Sequence, residues 1–76
     1  MISTDEQIIK SIYGSLRYER KQRGYTQASL GEKIGRNQTT INAWEGESGS
    51  IPLIDAWKIA DVYGISLDKL AGRSTF

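Results

Sequence analysis

Cysteine and histidine are both absent from this 76-residue chain. Without thiols, neither a disulfide framework nor a thiolate metal site can supplement the core. Without imidazole, the commonest metal ligand and the commonest general base are missing. No metal and no cofactor is expected. There is no phosphate-binding glycine loop, and the nearest thing to paired carboxylates is the adjacent Asp5-Glu6. An enzyme needs a nucleophile with its base or a positioned acid/base pair, so no catalytic residue is assigned. Long apolar runs are also lacking, and the opening Met1-Ile2-Ser3-Thr4-Asp5-Glu6 is too polar and acidic for a targeting segment. These absences predict a soluble, cytoplasmic protein with no membrane partner and no small-molecule ligand. β-strand signals are missing too: no sustained apolar/polar alternation and no Asn-Gly or Asp-Gly turn.

What is present is charge in a particular order. The formal net charge is only +1. Residues 10 to 36, however, hold Lys10, Arg17, Arg20, Lys21, Arg23, Lys33 and Arg36 against Glu19 and Glu32. The N-terminal tip and the part beyond residue 36 are each acidic on balance. One basic zone between acidic ends can orient a protein on a phosphate backbone, although a solvated helix face has the same composition. The length allows one domain, spanning 1–76 with an ordered core of about 5–71. So small a domain is marginally stable unless it pairs with a copy of itself.

Helical spacing runs along most of the chain. Thr4-x-x-Gln7 reads as a capping box, and Ile8, Ile12 and Leu16 then recur every fourth residue. This predicts a first helix at about 5–23, stopped by Gly24. Thr26 caps a second helix, Tyr25 packs on Leu30 as a hydrophobic staple, and Gly35 ends that helix after Ile34. Asn37 opens a third helix at about 38–45, followed by the loop Gly46-Glu47-Ser48-Gly49-Ser50. Pro52 begins a fourth, with Ile54, Trp57, Ile59 and Ala60 expected inward and Gly64 as its stop. Both tryptophans, by their spacing, are expected in the core. Ser66 caps a short fifth helix containing Leu67 and Leu70. The fold class is therefore all-α, a compact five-helix domain.

The most informative stretch is Gln27 to Glu45. Two short helices meeting at a sharp angle need a tiny residue at their crossing, here Gly31. They need a turn residue that tolerates positive φ, here Gly35. Leu30, Ile34, Ile41 and Trp44 can seal the pair from inside, while the outer face of the second helix stays polar. All four conditions hold at mutually consistent spacing.

With these residues goes a resemblance over roughly 12–72. Leu16-Arg17-x-x-Arg20, Gly24-Tyr25-Thr26-Gln27-x-x-Leu30 and Ile41-x-x-Trp44-Glu45 are its first motifs. Pro52, Lys58-Ile59-Ala60 and Gly64-Ile65-Ser66-Leu67-Asp68-x-Leu70 follow in order. The chain resembles the Cro/repressor (Xre-like) helix-turn-helix family. The resemblance implies a lambda-repressor-like fold, a third helix that enters the DNA major groove, and a symmetric dimer on a palindromic operator. It further implies a transcriptional regulator, a repressor. The alternative is an interaction module, an antitoxin or anti-repressor, built on the same fold. Two departures stand out. Arg36 replaces the apolar residue usual after the turn glycine, and the loop after the third helix lacks basic residues.

Residues about 100° apart on a helix place roles. With Ile41 and Trp44 inward, Thr39 points away from the core, Asn42 and Ala43 flank it, and Gln38 projects from the tip. Gln and Asn can pair bidentately with adenine, and Thr and Ala can touch the thymine methyl, so these four are the candidate base contacts. The set holds no Arg or Lys, the usual readers of guanine, which predicts a half-site rich in A·T pairs. By resemblance Thr26 and Gln27 are phosphate contacts at a helix N-terminus, where free amides favour an anion. Arg20, Arg36, Asn37 and Thr40 complete the phosphate set. Arg20 and Glu45 are, again by resemblance, a structural pair. A dimer contact must avoid the groove face. Its apolar candidates are Ile51, Leu53, Ile65, Leu67 and Phe76, with Ile2, Ile8 and Ile9 as the competing surface.

Overall fold

The computed structural model describes residues 3–46 and 50–73. Among them are five helices, α1 (Asp5–Gln22), α2 (Gln27–Ile34), α3 (Gln38–Trp44), α4 (Leu53–Tyr63) and α5 (Leu67–Leu70). The expected loop residues Glu47 to Gly49, and the dimer candidates Ile2 and Phe76, lie outside the described residues.

Local chemistry accounts for the helix ends. At α1 the Gln7 N–H donates to Thr4 Oγ1 at 3.2 Å, and the Thr4 N–H donates back to Gln7 Oε1 at 2.9 Å. Asp5 and Glu6 in the first turn and Arg20 and Lys21 in the last turn oppose the helix dipole. Four of the five helices carry a side-chain N-cap, from Thr4, Thr26, Asn37 and Ser66. Pro52 starts α4 without a side-chain cap bond.

The core is a single cluster of Leu16, Leu30, Ile34, Ile41, Trp44, Ile59, Ala60 and Leu70, drawn from all five helices. Ile12, Tyr25, Ile51, Ala56, Tyr63, Ile65 and Leu67 pack against its rim. α5 also closes on α1 through polar bonds. Ser15 Oγ donates to the Lys69 carbonyl and Ser11 Oγ to that of Ala71, each at 3.1 Å. The hydroxyls of α1 thus satisfy carbonyls that a four-residue helix leaves without intrahelical partners.

One expectation is corrected. Ile54 and Trp57 do not face inward; they are 64% and 59% exposed, and Leu53 beside them is 71% exposed. The inner face of α4 is Asp55, Ala56, Ile59, Ala60 and Tyr63. Hydropathy alone cannot foresee this, because the residue that completes the inner face is a carboxylate. Asp55 is only 1% exposed, and it is tolerated there because Arg36 Nε donates to its Oδ1 at 2.9 Å. The apolar stripe of α1 also fades toward its start, where Ile8 is exposed.

Candidate nucleic-acid interface

α2 and α3 pack directly on each other across a three-residue turn. Gly35 takes a left-handed φ of 76°, and the Arg36 N–H donates to the Gly31 carbonyl at 2.8 Å. The need for a tiny residue at Gly31 is real, but its reason is the turn. A Cβ there would collide with the Arg36 carbonyl oxygen, so the side chain of any other residue would push the turn off α2.

Ile41 and Trp44 point α3 into the core, which leaves Gln38, Thr39, Asn42 and Ala43 exposed on its outer face. The four candidate base readers therefore share one uncharged polar surface. Asn37 Oδ1 accepts from both the backbone N–H and the hydroxyl of Thr40, each at 2.9 Å. Asn37 and Thr40, two of the candidate phosphate contacts, are thus already joined in one cap. Thr26 is similarly engaged. Its Oγ1 accepts from the Ser29 N–H at 3.0 Å, and its own N–H donates to Ser29 Oγ at 2.9 Å. Ser29 stands three residues after Thr26, a short-chain version of the capping box that the spacing alone could have revealed.

Arg20 and Glu45 tie α1 to the end of α3. Arg20 Nε and Nη2 donate to the two carboxylate oxygens at 2.8 and 2.9 Å, and Nη1 donates to the Tyr25 carbonyl at 2.8 Å. The two side chains are only 9% and 4% exposed. The hydrogen bond to Glu45 raises the arginine's pKa above its ordinary range, against the opposing effect of burial. Arg20 is thus buried and bonded on three sides, with little surface to offer a phosphate. Arg36 is more open, and it is bound to Asp55.

Gln27 sits between these groups. Its Nε2 lies 3.2 Å from Asn42 Oδ1 and 3.2 Å from Glu45 Oε1. No helical periodicity places a side chain from the first residue of α2 against the end of α3, so the link Asn42–Gln27–Glu45 is visible only in the folded chain. Of the remaining basic zone, Arg17, Lys21 and Lys33 are exposed. Arg17 and Lys21 lie about 60 to 100° around α1 from Arg20. Arg23 instead pairs with Glu19 at 2.8 Å and lies over the Tyr63 ring.

Among the described residues no group of His, Cys, Asp or Glu could hold a metal ion, and no helix is long and apolar enough to cross a membrane.

A family model described as helix-turn-helix matches residues 16–70. The crystal structure of a hypothetical transcription factor from Neisseria superposes with a TM-score of 0.76 at 25% sequence identity, covering 93% of this chain and 83% of that one. No curated protein matches the chain. The matched segment begins at Leu16 and ends at Leu70, both buried in the one core, and it contains α2, the glycine turn and α3 whole. On that match, the chain belongs to the helix-turn-helix family, of the Cro/repressor (Xre-like) kind.

Proposed function

We propose that this chain is a transcriptional regulator that binds double-stranded DNA sequence-specifically, with α3 in the major groove, and acts in the cytoplasm as a repressor. One observation carries the reading. α3 offers an exposed, uncharged, hydrogen-bonding face of Gln38, Thr39, Asn42 and Ala43, while its other side is locked by Ile41, Trp44 and the buried Arg20–Glu45 pair. A rigid polar helix face of this size suits base edges. Thr26, Gln27, Asn37 and Thr40 stand at the two helix starts beside it as backbone-facing groups, with Arg36 in the turn and Arg20 behind. The test is selection of bound sequences from a random duplex library at two salt concentrations. Enrichment of an A·T-rich palindrome, with affinity falling as salt rises, is the expected result. Absence of any enriched sequence would remove the reading.

A single recognition helix reads only a few base pairs, too little to find one site among a genome's competitors. Two copies with α3 roughly 34 Å apart would read successive major grooves, and we assign that pairing to the C-terminal half. The exposed Leu53, Ile54 and Trp57 on α4 support this, since such an apolar face is unusual on a lone domain of this size. The same face favours a second reading, a protein-interaction module of the antitoxin or anti-repressor type. Stoichiometry separates them: two chains on one palindrome for the DNA reading, and a foreign protein partner with no DNA preference for the other.

A further inference from the structure

A line of hydrogen bonds leads from the interior to the outer face of α3. It begins at the Arg20 guanidinium, which donates to both oxygens of Glu45. A carboxylate so paired offers acceptors only. The Gln27 group lying 3.2 Å from Glu45 Oε1 must therefore be the amino group, Nε2, because an oxygen there would face another oxygen. That same Nε2 lies 3.2 Å from the Asn42 side chain, and the Asn42 atom it meets must in turn be the acceptor Oδ1. The charge of one buried pair thus sets the direction of two successive amides. With Oδ1 turned to Gln27, Nδ2 is the Asn42 group directed away from it.

We propose that Gln27 is a positioning residue that passes the polarity of the Arg20–Glu45 pair to Asn42, so that Asn42 presents hydrogen-bond donors to the DNA. The proposal rests on the DNA reading above and sharpens it. An Asn free to use both its oxygen and its amino group pairs with adenine. An Asn held donor-outward instead accepts any base with an acceptor there, namely guanine N7 and O6, adenine N7 or thymine O4. Cytosine shows only its amino group in the major groove, and it is the base Asn42 rejects. Gln27 then shapes specificity at one base pair from behind the helix that reads it.

The test combines selection from the duplex library with spectra of the free protein, using wild type, Gln27→Ala, Gln27→Glu and Asn42→Ala. Wild type should disfavour cytosine at one position by roughly 3- to 10-fold, the worth of one hydrogen bond. Gln27→Ala should flatten that position to within about 2-fold, as Asn42→Ala does, while preferences elsewhere stay. Gln27→Glu sets a second carboxylate against Glu45, so its side chain is repelled from that place and leaves Asn42 unheld. Its preference at that position should flatten as it does in Gln27→Ala, because the donor that turned Asn42 is gone. In the free protein the Asn42 side-chain amide resonances should move on Gln27→Ala and not on Lys58→Ala, an exposed change on α4. The proposal is overturned if Gln27→Ala weakens operator and scrambled DNA by the same factor and leaves the preference at that position intact, the mark of a phosphate contact alone. It is equally overturned if the Asn42 amide does not move. Wild type that enriches no sequence removes the DNA reading and this role together, and the free-protein spectra then report separately whether the hydrogen-bond line exists.

Discussion

Two glycines inside helices have opposite surroundings, and the contrast sets the first prediction. Gly14 lies in α1 with nothing near the place a Cβ would take. Gly14→Ala should therefore stabilise the fold by about 0.5–1 kcal/mol, the helix-propensity difference. Gly31→Ala should destabilise it by about 1–3 kcal/mol, because the Arg36 carbonyl must give way. Denaturant midpoints of the two variants on either side of wild type would check this; a shift in the same direction would reject it. Tyr63 is the other residue of note. Its hydroxyl is buried with no hydrogen-bond partner, and its ring meets both the Arg23 guanidinium and the Tyr25 ring. Burial pushes its pKa up to about 12, against the pull of the Arg20 and Arg23 charges. A folded-state pKa raised above the ordinary value of 10 means the folded chain holds its proton longer than the unfolded one. The contribution is fully present below pH 10 and is lost as pH rises through about 12. Tyr63→Phe should be neutral or slightly stabilising at pH 7 and should lose less stability than wild type between those limits. Parallel alkaline melting curves for the two proteins would contradict the assignment.

At the level of elements, two ion pairs hold helices together and differ in how much they leave behind when broken. Arg20 and Glu45 are both buried, so either truncation strands a charge. Losing one partner of such a pair costs about 3–5 kcal/mol. A domain of this size has a total stability of the same order, about 0.05–0.15 kcal/mol per residue. Glu45→Ala should accordingly melt far below wild type even without DNA, and a double-mutant cycle with Arg20→Ala should show strong coupling. Additive losses would make them separate charges. The Arg36–Asp55 pair is lopsided, with the arginine side chain 42% exposed and the carboxylate 1%. Arg36 freed of its partner can turn to water, whereas Asp55 cannot. Arg36→Ala should therefore be more destabilising than Asp55→Asn, and the reverse order in thermal melts would show that Asp55 has another source of compensation.

For the whole molecule the exposed α4 face matters most. The domain measures 37 × 26 × 21 Å, dimensions of the same order as the roughly 34 Å of one DNA turn. Leu53, Ile54 and Trp57 supply an aromatic anchor with two aliphatic neighbours, the composition of an interface centre. Trp57→Glu should leave the melting temperature of the isolated chain nearly unchanged, because the side chain is outside the core. It should nevertheless abolish cooperative two-to-one binding on a palindromic duplex. Cooperativity kept by Trp57→Glu and lost by Ile9→Glu would move the contact to α1.

Helix positions, their caps and the helix-turn-helix geometry were legible from local signals. Thr4, Thr26, Asn37 and Ser66 announce helix starts, Gly35 and Gly64 announce stops, and the spacing of Ile41 and Trp44 fixes which side of α3 faces out. These signals act within a few residues, so a linear string carries them. The phase of α4 was not legible, because Asp55 becomes an inward residue only when Arg36, 19 positions earlier, arrives beside it. Gln27 was legible as a polar residue at a helix start but not as a link between Glu45 and Asn42, which lie 18 and 15 residues away. Local signals thus sufficed for the elements, the core residues of α2 and α3 and the exposed face of α3. Which charges could be buried, and which partners Gln27 would find, came only with packing, since both depend on residues far apart in the chain that the fold brings into reach.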